Sequence, residues 1–73
     1  MNQLQVSGSV DVKELRERLG LSQREFADRF ALSLSTVRKW EQGDRKPNAT
    51  AKLFLELIER DPAFVSKTLA VNR

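Results

Sequence analysis

The stretch "LSQREFADRFALSLSTVRKWEQG", Leu21 to Gly43, carries two helix starts eleven residues apart, and that spacing restricts the fold more than any other feature. Ser22 and Glu25 form a capping box, in which the serine oxygen accepts from a free backbone N–H and the glutamate reaches back to the cap. The helix that follows carries Phe26, Ala27 and Phe30 on one face, at the spacing of an apolar stripe. Ser33 then caps another helix, so the connection is only Ala31, Leu32 and Ser33. So short a turn makes the two helices cross steeply, with a small residue where their backbones approach, and Ala27 supplies it. Val37 and Trp40 anchor the second helix inward at i, i+3, which turns Leu34, Ser35, Arg38 and Lys39 outward.

Similar punctuation divides the rest of the chain. A first helix over about 11–19 begins at Asp11 and Glu14 and stops at Gly20. The pair just described covers 22–30 and 33–42, and Gly43 ends it ahead of the basic loop "GDRKPN". A fourth helix is expected over 48–60, with Leu53, Phe54, Leu57 and Ile58 on the core face and Leu55 on another. Asp61-Pro62 announces a fifth over 62–70, an N-cap followed by proline at the first helical position. Its apolar residues are Phe64, Val65 and Leu69. Phe26, Phe30, Phe54, Phe64 and Trp40 read as core. Residues 1–9 are polar, contain Gly8 and read as a flexible leader; 10–73 form one domain. No strand or repeat is visible, so the fold class is all-α.

Composition removes several functions. The 73 residues include no cysteine, so neither disulfides nor thiolate metal sites reinforce the fold. Histidine, the commonest general base, is absent too. Acidic residues such as Glu14 and Glu17 sit on helix surfaces among lysines and arginines, so no enzyme, metal or cofactor is expected. No apolar run approaches the roughly 20 residues that span a bilayer, and the N-terminus lacks a signal-peptide pattern; a cytoplasmic location follows, with no membrane partner.

Charge is informative by position. Ser33 to Lys52 hold five basic residues (Arg38, Lys39, Arg45, Lys46, Lys52) and two acidic ones, a surplus equal to the whole net charge of +3. Such concentration suits a polyanion, although a solvated face is the ordinary alternative. An α-helix fits the major groove of DNA, where Ser35 can donate or accept, Arg38 or Lys39 can pair with guanine, and Leu34 can touch a thymine methyl. Arg24 and Arg29 are equally suited to phosphate or to plain solvent exposure. Glu56, Glu59 and Asp61 would repel phosphate, so the C-terminal half should face away from DNA.

"LGLSQREFA", "STVRKWEQGDRKP" and the spacing between them resemble the XRE/Cro-type helix-turn-helix family, which includes the lambdoid phage repressors and many antitoxins. The resemblance covers roughly Val12 to Pro62. "VKELRERLGLSQ", "WEQG" and "LIERDP" are most similar to HigA-type antitoxins and related solo regulators. It implies a lambda-repressor-like bundle of five helices. It also implies phosphate contacts from Ser22, Gln23, Gln42, Arg45 and Lys46, base readout by Leu34, Ser35, Thr36, Arg38 and Lys39, and an internal ion pair between Arg16 and Glu41. The family's turn usually holds a glycine where this chain has Ala31. Either Ala31 accepts about 1–2 kcal/mol of left-handed strain or the turn differs.

The function expected is that of a sequence-specific DNA-binding transcriptional regulator, a repressor, with double-stranded DNA as partner. The alternative is an antitoxin whose main role is to bind a cognate toxin protein. One module touches too few base pairs to be selected from a genome, and a two-fold dimer doubles the contacts on an inverted repeat with half-sites about 10 base pairs apart. The homodimer interface is expected on Leu55, Phe64, Val65, Leu69 and Val71. Otherwise the last helix closes the monomer core and pairing occurs only on DNA.

Overall fold

Five polar side chains start the five helices. The computed structural model describes residues 10–71, with the side chain of Val71 excepted. The leader over 1–9 and the interface role of the Val71 side chain therefore lie outside the described residues. Helices α1 (Val12–Arg18), α2 (Gln23–Arg29), α3 (Leu34–Gln42), α4 (Ala49–Arg60) and α5 (Pro62–Val71) follow one another with no strand among the described residues. Each is preceded by a residue whose side chain accepts from a first-turn N–H. Asp11 takes Glu14, Ser22 takes Glu25, Ser33 takes Thr36, Asn48 takes Ala51 and Asp61 takes Phe64, at 2.9 to 3.1 Å. Glu25 Oε1 also accepts from the Ser22 N–H at 2.8 Å, completing the capping box.

The first three helices end alike. Gly20, Ala31 and Gly43 adopt positive φ of 73°, 57° and 81° just past their helices. The next residue then donates its N–H back into the last turn: Leu21 to the Arg16 carbonyl at 3.1 Å, Leu32 to Ala27 at 2.8 Å, Asp44 to Lys39 at 3.0 Å. This is the Schellman arrangement, and it needs one left-handed residue each time. Of the two possibilities the sequence left open, the turn keeps its geometry and Ala31 carries the strain.

Val12 and Leu15 of α1, Phe26 and Ala27 of α2, Phe30 just after it, Val37 of α3, Leu55 and Ile58 of α4 and Val65 of α5 form one buried core. The Phe26 and Phe30 rings meet at 5.0 Å between centroids, tilted by 58°. Ala27 is 1% exposed, as a close α2–α3 crossing requires. Trp40 and Phe54 are half-buried at its edge.

The outer helices correct the reading above. The stripe that α4 buries is Ala51, Phe54, Leu55 and Ile58, an i, i+3, i+4, i+7 set. Leu55 is therefore core at 1% exposure and not an interface residue, while Leu53 and Leu57 stand outside at 63% and 57%. In α5, Val65 is buried at 8% and is likewise core, because it shares an inward face with Pro62 and the half-buried Leu69. Phe64, expected in the core, is 64% exposed.

Relieving the strain tests this account of the turn. Ala31→Gly removes a left-handed cost of about 1–2 kcal/mol and adds unfolded-chain entropy worth roughly 0.5–1 kcal/mol, so the variant should gain about 0.5–1 kcal/mol. The midpoint of urea unfolding should rise with an unchanged m-value; a lower midpoint would mean that Ala31 is unstrained.

Candidate nucleic-acid interface

The outward helix α3 is set in place from its C-terminal end. Arg16 of α1 donates from Nε to Glu41 Oε2 at 2.7 Å and from Nη2 to Glu41 Oε1 at 2.9 Å. Its Nη1 donates to the Leu21 carbonyl at 3.0 Å, gripping the α1–α2 turn. Gln23 of α2 donates from Nε2 to the same Glu41 Oε1 at 3.1 Å. One carboxylate thus ties three helices together. The Arg16 and Glu41 side chains are 13% and 6% exposed. The Arg16 hydrogen bonds hold the Glu41 carboxyl below its ordinary value of 4.5, against burial, which pushes the other way; Gln23 adds to the lowering. Glu41 in turn raises Arg16, chiefly through that hydrogen bond. At the start of α2, the Ser22 backbone N–H lowers Glu25 in the same manner.

Around α3, Val37 points straight into the core, with Trp40 and Glu41 beside it. Ser35, Arg38, Lys39 and Gln42 occupy the opposite, exposed face, where with Leu34 and Asp44 they line a shallow groove of about 450 Å³. Two residues assigned to base readout sit less freely. Leu34 is half-buried and packs against the core, because it precedes Val37 by three positions and shares its inward side. Thr36 is also half-buried, and its Oγ1 accepts from Ser33 Oγ at 2.7 Å.

The assigned phosphate contacts divide similarly. Arg45 and Lys46 are exposed on the loop after α3, and they line a second groove with Thr36, Trp40, Asn48 and Ala51. Ser22 is exposed and caps α2. Gln23 is not free: it lies on the inward side of α2 with Phe26, Ala27 and Phe30, and Glu41 holds its amide. Sequence reasoning missed Asn48 in the loop groove and Asp44 beside Lys39. Asn48 had a signal in its cap position, which aims a polar group at the loop; Asp44 had none. Among the described residues, no cluster of acidic side chains could hold a metal, and no helix is long and apolar enough to cross a membrane.

This is a bundle in which two helices joined by a tight turn present one of them to the outside, held by an internal ion pair. Residues 12–56 match the helix-turn-helix family, and the chain belongs to it. A solved structure described as an HTH XRE-family like protein from Agrobacterium tumefaciens superposes with a TM-score of 0.80 at 37% identity, covering 81% of this chain and 95% of that one. Antitoxin HigA-2 of Vibrio cholerae serotype O1 is 34% identical over 56 residues, 77% of this chain. The type II methyltransferase M.SsoII of Shigella sonnei is 42% identical over 55 residues, 70% of this chain. The matched region spans 54% of the antitoxin and only 14% of the methyltransferase.

The ion pair makes a pH-dependent contribution whose sign follows from the lowered Glu41 carboxyl. A depressed carboxylate stabilises the fold above its unfolded value and loses that contribution as pH falls through the folded one. Glu41→Gln should therefore cost about 1–3 kcal/mol at pH 7. The gap to wild type in urea unfolding should shrink below about pH 4.5. A gap that is constant from pH 7 to pH 3 would show that the charge on Glu41 does not matter to folding.

Proposed function

We propose that this chain is a sequence-specific DNA-binding transcriptional regulator, a repressor that lays α3 in the major groove and binds as a homodimer on an inverted repeat. The observation that carries the reading is the outward face of α3, where Ser35, Arg38, Lys39 and Gln42 are exposed together on a helix fixed by the Arg16–Glu41 pair. A reader of base edges needs donors and acceptors held in register, and family membership supports that use. Ser35, Arg38 and Lys39 are the base readers, Leu34 reaches a thymine methyl with the part of its side chain that faces the groove, and Thr36 contributes from the edge. Ser22, Gln42, Arg45 and Lys46 meet phosphates, and Gln23 does so through the amide hydrogen that Glu41 does not take. Phe64 remains exposed for pairing, and Leu69 offers its half-exposed side.

Similarity to an antitoxin supports a second reading, in which a toxin protein is the main partner. Selection of binding sites from random duplex DNA by the chain alone separates the two. Enrichment of an inverted repeat supports the regulator; no enrichment at any salt concentration leaves toxin binding as the reading.

On the selected site, Arg38→Ala or Lys39→Ala should weaken binding by about 1–3 kcal/mol and relax preference at one base position. Retention of the wild-type ranking of single-base variants by both would remove α3 as the reader. Arg45→Ala and Lys46→Ala should instead weaken all duplexes equally. Each should flatten the slope of log affinity against log salt by roughly 0.9 for every phosphate that is no longer neutralised. An unchanged slope in the double variant places the loop off the DNA.

A further inference from the structure

We propose that Asp44 is a further reader of DNA, and that Lys39 and Asp44 together recognise one G·C pair in a single orientation. This inference rests on the DNA-binding reading above and deepens it by naming a base pair that the binding site should contain. Asp44 is exposed and lines the same groove as Ser35, Arg38, Lys39 and Gln42. It is one of two acidic residues between Ser33 and Lys52; the other, Glu41, is held by Arg16 and Gln23. Asp44 is in no ion pair among the described residues, although Lys39 and Arg38 share its groove. Its place is set by the backbone. With Gly43 left-handed at φ 81°, the Asp44 N–H donates to the Lys39 carbonyl at 3.0 Å, so the acid is anchored on the residue whose ammonium it accompanies.

A carboxylate on a face that meets a polyanion is a cost unless the bases offer it a donor. An ionised carboxylate only accepts hydrogen bonds, and an ammonium only donates them. Across its major-groove edge a G·C pair presents two acceptors, the N7 and O6 atoms of guanine, and then the amino donor of cytosine. Lys39 on guanine O6 and Asp44 on the neighbouring cytosine amino group match that edge, donor to acceptor and acceptor to donor. The reversed C·G pair keeps O6 in the middle for Lys39 but puts guanine N7, an acceptor, before Asp44. An A·T pair in either orientation sets the adenine amino donor against Lys39 and an acceptor, thymine O4 or adenine N7, against Asp44. Three of the four arrangements therefore leave the carboxylate facing an acceptor, and one does not. The cation alone accepts a guanine on either strand; the carboxylate beside it fixes which strand.

The whole chain and the duplex that it selects from random DNA test this. Among single-pair variants of that duplex, wild type should lose roughly tenfold or more in affinity when one particular G·C pair is reversed or replaced. Placing N4-methylcytosine in that pair, where the methyl group takes the major-groove hydrogen and leaves the pairing one, should cost wild type a similar factor. Asp44→Ala should no longer distinguish the pair from its reversal and should be indifferent to the methyl group. It should also bind unrelated duplexes more tightly, because a charge that repels phosphate is gone. Lys39→Ala should lose its preference at the same pair. The Asp44 bond to Lys39 is made by the backbone, so an unchanged thermal transition checks the fold of Asp44→Ala, and the methylated duplex needs no variant. Equal tightening of every duplex by Asp44→Ala, with the ranking kept, would reduce Asp44 to a repelling charge and overturn the proposal. So would a methyl group that wild type tolerates at every cytosine of the site, or a Lys39→Ala variant that loses preference at a different pair. If wild type enriches no duplex at any salt concentration, the DNA-binding reading itself fails, and this proposal with it.

Discussion

Everything that α3 presents depends on the bidentate contact between Arg16 and Glu41. A guanidinium and a carboxylate match in a plane with two parallel hydrogen bonds, so the pair fixes orientation as well as distance. Here Arg16 also holds the Leu21 carbonyl and Glu41 also holds the Gln23 amide, which satisfies the remaining polar atoms of a pair largely out of water. Two apolar side chains of similar volume could give comparable stability at this point. They could not fasten the α1–α2 turn and the start of α2 to the last turn of α3. The pair thus acts on the register of three helices, and register is what a helix facing outward has to keep.

How much of this was legible in the sequence depends on whether local chemistry or packing decides. The caps at Asp11, Ser22, Ser33 and Asp61 are local, since each side chain bonds a backbone N–H three residues on, and all four were legible in the sequence, while the Asn48 cap went unnamed although α4 was expected to start there. The α2–α3 turn follows from them, as does the crossing over Ala27. The buried side of α4 was not local. Ala51, Leu53, Phe54, Leu55, Leu57 and Ile58 include two overlapping apolar stripes, and periodicity alone cannot rank them. Packing against the other helices chose the stripe with Leu55 and left Leu53 and Leu57 outside. Val65 turned out buried and Phe64 exposed for a related reason: once Asp61 caps α5 and Pro62 begins it, the inward side falls on 62, 65 and 69. Within the interface, Ser35, Arg38, Lys39, Arg45 and Lys46 lie exposed. Leu34 and Gln23 are half-buried, which the sequence pattern did not foretell, because each sits a turn before a core residue of its own helix.

Ala31 shows how a small deviation is absorbed. Three helices end with the same backbone reversal, and two use glycine at the left-handed position. The third, between α2 and α3, uses alanine, and its closing hydrogen bond from Leu32 to Ala27 is the shortest of the three at 2.8 Å. Leu32 packs against the core and Ala27 is buried within it, so the ends of that bond are held by burial. Core packing here outweighs a local backbone preference of one or two kcal/mol, a size that a single well-buried side chain can offset.

The positive charge of the chain is concentrated on the face of α3 and the loop after it, where Arg38, Lys39, Arg45 and Lys46 are all exposed. On the proposed reading, salt acts on binding mainly through these residues, because each phosphate that a cation neutralises adds to the counterion-release slope. The Arg16–Glu41 pair lies largely out of water, with side chains 13% and 6% exposed, and is screened far less. Raising ionic strength should then lower affinity for DNA long before it loosens the placement of α3. A thermal transition that fell in step with the affinity across the same salt series would show that the ion pair and the binding face are electrostatically coupled, and the outward face of α3 could then not be treated as resting on an independent frame.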